Sequence, residues 1–321
     1  MKFPVFDFHC DTALALLGED VNQAGSLRKN NGHIDLERAK TLPGYAQCFA
    51  CFTTPFMQEW NKTSPIVIFE RELATIQREL EENSDWISLA YSPEEILENQ
   101  KKGKMSAILT LEGTAGFGYD PELLEDLWNI GFRITSLGWN EENPLTGSHQ
   151  TGGGLTDLGR TYVKKAQSLG MLVDVSHISD QGFWDIMEIT TGPILATHSN
   201  SRWVCSHSRN LTDEMFRAIC NTQGLAGYNL CRDFTGDHPD LDRVCDHIFH
   251  FLELDPTGKH IGLGGDLDGV DALPDGFEGV QSYPKLAERL LARGLGEDMV
   301  MDIFWNNAIG VMERAVCNHT K

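Results

Sequence analysis

Six side chains suited to metal binding or proton transfer stand at the ends of short apolar runs in this 321-residue chain. His9 and Asp11 follow FPVFDF, Glu112 closes LTLE, His177 follows LVDVS, His198 follows ILAT, and Asp266 follows GLGG. Imidazole and carboxylate are the ligands that borderline divalent metals take, zinc above all. Three histidines with two or three carboxylates are more than one zinc needs. Two metals bridged by a carboxylate such as Glu112 would use them all. Such a pair lowers the pKa of a bridging water and polarises an acyl oxygen, which equips a site to hydrolyse an amide. Each residue alone has a plainer reading. A single histidine in an apolar run is ordinarily a satisfied core residue, and Asp266 in GGDLDG suits a turn. Their joint recurrence at five of eight expected strand ends sets the metal reading apart. His33, His149, His207, His238, His247, His250, His260 and His319 lack this placement and read as solvated or structural.

The elements that must position the six residues come next. Apolar runs of strand length lie at 3–8, 46–52, 106–111, 132–137, 171–176, 193–197, 224–229 and 260–265, with a further run at 86–91. Helix-like segments fall between them, at 64–83, 155–170, 179–190, 211–224 and 240–254, and two more near 283–294 and 297–315 close the chain. Eight short strands alternating with helices make an α/β chain and predict a (β/α)8 barrel of the TIM type, here that of a metal-dependent hydrolase. In a parallel barrel every strand's C-terminal end opens on one face. Residues as far apart as His9 and Asp266 then share one small volume. No linker, internal repeat or low-complexity tract divides the chain, so residues 1–321 are expected to form one catalytic domain. TGGGLTD at 151–157 lacks the Lys-Ser/Thr of a phosphate loop and reads as a mobile loop over the barrel mouth.

Composition narrows the partners. A formal net charge of −21 excludes nucleic acid and anionic membrane surfaces as partners. The start of the chain has no signal-peptide pattern and no window offers a spanning helix, so the expected location is the cytoplasm. Eight cysteines (10, 48, 51, 205, 220, 231, 245 and 317) read as free thiols of a reducing compartment. Cys48 and Cys51 form a lone C-x-x-C, which reads as two thiols of a buried strand rather than half a zinc ribbon.

At DFHCDT, HIDLERAK, LTLEG, GLTDLGRTYVKKAQSLGMLVDVSHISD, ATHSNSR, SRNLTDE and GLGGDLDGV the sequence resembles the membrane (renal) dipeptidase family of zinc peptidases, and within it a bacterial leaderless member. The resemblance spans almost the whole chain. It implies two zinc ions per subunit, one held by His9 and Asp11, the other by His177 and His198, with Glu112 bridging them. It implies that Arg209 takes the substrate's C-terminal carboxylate, whereas the residues alone leave Arg202 an equal candidate. It implies that Asp266 handles protons beside the bridging water, and that the subunit pairs as a homodimer. Family members carry a histidine that contacts the developing oxyanion. Trp139 stands at that position here, as a donor that cannot become cationic or as a wall of the substrate pocket.

The reaction this implies is hydrolysis of dipeptides, including those with a C-terminal D-residue, by a metal-bridging hydroxide oriented by Asp266. Two alternatives accompany it. One is another metal-dependent amidohydrolase or lactonase on the same barrel. The other is a non-catalytic metal or ligand carrier in which Trp139 marks lost chemistry.

Overall fold

The structure, a computed structural model, describes residues 2–18, 25–60 and 62–319, with only the backbone of 316–319. The Cys317 and His319 side chains therefore lie outside the described residues. Nine parallel strands form one sheet: β1 Val5–Cys10, β2 Tyr45–Phe52, β3 Ile87–Leu89, β4 Met105–Glu112, β5 Phe132–Ser136, β6 Leu172–Asp174, β7 Ile194–Ala196, β8 Leu225–Tyr228 and β9 Ile261–Leu263. The sheet runs β2-β1-β9-β8-β7-β6-β5-β4-β3 and closes because β2 also pairs β4. That pairing is continuous from Ala46↔Ser106 to Phe52↔Glu112. Eight strands thus make the ring of a (β/α)8 barrel. β3, the extra run at 86–91, lies outside it and pairs only Met105–Ala107 of β4.

Helices form where the pattern places them, and their starts are capped. Thr156, Ser179, Thr212 and Asp240 each accept the backbone N–H three residues on, opening helices Asp157–Ser168, Asp180–Ile189, Asp213–Asn221 and Leu241–Leu254. The last helical run is not uniform. Between Glu297–Met301 and Asn307–His319 the turn Asp302–Asn306 is π-helical. The wider turn sets Trp305 edge-on against Phe6, and the Asn307 amide donates to the carbonyls of Gly258 and Ile261 at 2.7 and 2.8 Å.

Apolar residues fill the barrel below its mouth. Phe6 and Phe8 of β1, Ala46 and Cys48 of β2, Ile108, Ile134, Leu172, Leu195 and Leu225 form one buried layer with Trp305, Ala308, Val311 and Met312 of the closing helix. Every ring strand but β9 contributes, so the barrel below its mouth is a packed core. Cys51 faces the outer core that meets the helices, opposite to Cys48, and both thiols are free. Among the described residues no helix is long and apolar enough to cross a membrane.

Glycine sets the turn that follows Glu112. Gly113 has φ +76°, and a Cβ built there would stand 2.1 Å from the Thr53 carbonyl oxygen. Gly113→Ala is expected to cost about 2–4 kcal/mol through strain and overpacking combined. Calorimetry would read this as a lowered unfolding midpoint; an unchanged midpoint would refute the account.

Candidate active site

A β-bulge decides where His9 points. Strict alternation from Phe6 and Phe8, which face the barrel interior, would turn His9 outward with Asp7. Pairing with β2 slips by one between Asp7↔Gln47 and Cys10↔Phe49, so one extra residue of β1 sits in that interval. Beyond the slip Cys10 packs in the outer core, and His9 and Asp11 are re-aimed to the mouth. Asp7 secures the bulge. Its Oδ1 accepts from the backbone N–H groups of His9 and Gly265 at 3.0 and 2.9 Å, and Tyr283 donates its hydroxyl to the other oxygen.

The other residues arrive from their own strand ends. Glu112 is the last residue of β4 and is buried. His177 and Asp266 take left-handed backbone conformations, φ +69° and +56°. For residues with a Cβ this is strain, and such strain persists where the surrounding structure enforces it, commonly at functional sites.

The side chains converge on Glu112. Its Oε2 lies 3.1 Å from His9 Nε2, while its Oε1 lies 3.0 Å from His177 Nε2 and 3.8 Å from His198 Nε2. His9 Nε2 is also 3.5 Å from Asp11 Oδ2 and 3.8 Å from Asp266 Oδ1. The carboxylate therefore divides its two oxygens between two groups of ligand atoms.

Hydrogen bonds around the centre set the histidine tautomers. Asn140 Oδ1 can only accept, so His177 Nδ1, 2.7 Å away, donates. Thr197 donates its hydroxyl to Asp174 Oδ2 at 2.6 Å, which leaves its oxygen to accept from His198 Nδ1 at 2.8 Å. Both rings then present an Nε2 lone pair to the centre, and these two atoms are 2.9 Å apart. Burial pushes both imidazoles well below the ordinary histidine range, so neither carries the second proton. Two bare lone pairs at this distance repel unless a cation lies between them and Glu112. His9 Nε2 and Asp11 Oδ1 are likewise buried without an aligned hydrogen-bond partner. Burial opposes a charge on His9, yet the Glu112 and Asp11 carboxylates hold its pKa well above the ordinary value. Burial, above all, pushes Glu112 up to about 7. This donor set fits a pair of divalent cations.

Asp266 is held from behind, where the Asn229 amide donates to its Oδ2 at 2.9 Å. That leaves Oδ1 toward the centre. Burial raises its pKa, with His9 opposing.

The centre forms the floor of a cavity of about 300 Å³, with Asp11, Glu112, His177 and Asp266 in its lining. Trp139 also lines it and belongs to an aromatic wall, its ring 5.3 Å from Phe52, 5.7 Å from Trp60 and 6.0 Å from His177.

The structure separates the two arginines. Arg202 makes a two-pronged pair with Asp180 at 2.7 and 2.8 Å. Arg209 is buried; among the described residues its guanidinium donates only to Ser199 Oγ and the His198 carbonyl, both at 3.3 Å, and Nε has no partner. Among the described residues no carboxylate pairs with it. It does not line the cavity directly; its guanidinium carbon lies 5.4 Å from the ring of Phe234, which does.

Sequence reasoning passed over Asp7, Asn140, Asp174, Thr197 and Asn229, which orient the residues it singled out. His149, read as solvated or structural, has a structural place: it bonds Asn140 Oδ1 at 2.9 Å and Ser208 at 2.8 Å, and so braces the partner of His177. The 151–157 loop, expected to be free, is pinned. Leu155 N donates to Asp185 Oδ2 at 2.8 Å, the Ser179 hydroxyl donates to the Gly153 carbonyl, and Thr146 pairs with Leu155. Its glycines allow this close packing: a Cβ on Gly154 would meet Asp185 Oδ2 at 2.1 Å.

The sequence profile described as membrane dipeptidase, peptidase family M19, matches residues 1–321. An uncharacterized dipeptidase of Schizosaccharomyces pombe is 31% identical over 217 residues, covering 65% of this chain and 53% of its own length, so the match spans about half of that relative. The solved structure of dipeptidase AC, a metallopeptidase of family M19, superposes with TM-score 0.87 at 25% identity over 98% of this chain and 99% of its own. A Rhodobacter sphaeroides metallopeptidase, liganded with a phosphinate mimic of the dipeptide L-Ala-D-Ala, superposes with TM-score 0.88 at 24% identity over 98% and 100%.

Proposed function

The chain belongs to the membrane dipeptidase family, peptidase family M19, and from that membership we propose that it is a dinuclear zinc dipeptidase in which residues 1–321 form one catalytic domain. The observation that carries the proposal is the division of Glu112 between His9 on one side and the facing Nε2 atoms of His177 and His198 on the other. His9 and Asp11 would hold one ion, His177 and His198 the second, and Glu112 both. The ions, when bound, supply Lewis acidity to the scissile carbonyl and a lowered pKa to the attacking water.

The chain's own residues supply the rest. Asp266, fixed by Asn229, takes the proton from the attacking water at Oδ1 and delivers it to the departing amine. Arg209, which pairs with no carboxylate among the described residues, offers its guanidinium to the α-carboxylate of the C-terminal residue, which an acidic protein must attract locally. Trp139 closes one side of the cavity against the substrate's apolar part and can donate its single indole N–H. The dipeptide mimic in the Rhodobacter sphaeroides enzyme supports a dipeptide substrate with a C-terminal D-residue.

Zinc-loaded protein is expected to release both amino acids from a panel of L,L and L,D dipeptides and to stop on chelation. No cleavage anywhere on the panel would overturn the reading. Arg209→Ala should raise KM for dipeptides by about 10- to 150-fold, the equivalent of about 1.5–3 kcal/mol for a charge-assisted contact. Arg202→Ala should leave KM within about 2-fold, because Asp180 already occupies that guanidinium at the surface. Equal effects from both substitutions would remove Arg209 from the carboxylate site.

A further inference from the structure

The opposite end of the barrel gathers ligand-type side chains that this reaction does not use. Cys220 lies in the last turn of helix Asp213–Asn221, Asp255 caps the end of helix Leu241–Leu254, and His260 immediately precedes β9. One sulfur, one carboxylate oxygen and one ring nitrogen from these three all lie within 4.8 Å of one another. They sit where β8 and β9 begin, whereas the active centre sits where the strands end.

Local structure prepares each ligand atom. Two residues past the helix Asp213–Asn221, Gln223 takes φ +60°, and the Gly224 N–H returns to the Ile219 carbonyl at 3.0 Å. Gly224 is required there, since a Cβ would stand 1.9 Å from the Ile194 carbonyl oxygen. The Gly224 carbonyl accepts from His260 Nδ1 at 2.8 Å. A carbonyl can only accept, so Nδ1 bears a proton, and in the neutral ring Nε2 is the nitrogen with the lone pair. Asp255 uses Oδ1 alone for its own turn, accepting from the Thr257 N–H and hydroxyl at 3.1 and 2.6 Å. Its Oδ2 is buried without a hydrogen-bond partner. A carboxylate anchored by one oxygen and an imidazole fixed by a backbone carbonyl are the outer bonds that hold metal ligands in place.

We propose that Cys220, Asp255 and His260 form a second cation site, binding one zinc-class divalent ion with its fourth position open to water. Sulfur, nitrogen and oxygen would each donate one electron pair, and the thiol proton would pass to solvent as the thiolate coordinates. The ion would tie two helix ends to the start of β9, a structural role independent of the proposed hydrolysis. A nucleophilic thiol is the competing use of these residues. Burial pushes the Cys220 thiol up to about 12, and His260 Nδ1 faces a carbonyl rather than a carboxylate that would steady an imidazolium. Arg217, the cation felt at Cys220, is exposed and screened by solvent.

Cobalt(II) titration of the metal-free 321-residue chain tests the site. Wild type is expected to develop a near-ultraviolet thiolate-to-cobalt charge-transfer band. Cys220→Ser should abolish it, and Asp255→Asn should weaken cobalt binding at the band at least about 10-fold. Cys231→Ser should keep the band, since Cys231 lines the active-site cavity and not this cluster. A second measurement does not depend on those variants folding well: in Glu112→Gln protein, with the active centre disabled, zinc should still raise the unfolding midpoint. No band in wild type at saturating cobalt, or a band that survives Cys220→Ser, overturns the proposal. So does loss of the zinc-dependent shift in Glu112→Gln.

Discussion

Glu112→Gln is expected to lower kcat/KM by about 10³-fold or more and to reduce the metal retained after dialysis. The substitution keeps size and shape but removes the charge that both sides of the centre share. It also turns an amide nitrogen or a neutral oxygen toward lone pairs that need a cation. Losing several kcal/mol of charge stabilisation at about 1.4 kcal/mol per decade gives that factor. Metal analysis beside steady-state kinetics checks it, and an active variant with full metal content would contradict the bridging role. The same carboxylate predicts a pH dependence. With its pKa raised to about 7 in the metal-free centre, proton and cation compete for the same oxygens. Metal affinity should therefore be full above about pH 7 and fall as pH drops through that value. An affinity flat from pH 8 to about 5.5 would contradict this.

Asp266→Asn should show the opposite pattern, with metal retained and kcat reduced by about 10²–10⁴-fold, the usual worth of a positioned acid–base group. Asparagine tolerates the left-handed backbone found at this position, so the fold should survive. KM should change little if Asp266 moves protons rather than binding substrate. Loss of metal together with activity would reassign Asp266 as a ligand, beside His9 Nε2 at 3.8 Å.

The barrel was legible because strand period and helix period are local properties. Eight apolar runs of five to seven residues cannot be buried singly, and parallel strands joined by helices close most simply into a ring. The ligand-type residues were legible because the ring sends every strand's C-terminal end to one face. Which way His9 points was not legible. Simple alternation puts it outward, and only a register slip against β2 turns it to the mouth. Register depends on a partner strand some forty residues away, and no local pattern encodes it. The choice between Arg209 and Arg202 was open for the same reason, because Asp180 claims one of them from a neighbouring helix.

The sequence by itself thus determined the architecture and the chemical types collected at the barrel mouth, through periodicity and composition, which short segments carry alone. Tertiary structure decided the rest. It aimed His9, set the tautomers of His177 and His198 through Asn140, Thr197 and Asp174, pinned the 151–157 loop, and drew Cys220, Asp255 and His260 together. These outcomes rest on hydrogen bonds and contacts a few ångströms long between residues far apart in the chain, and such distances exist only once the ring has closed.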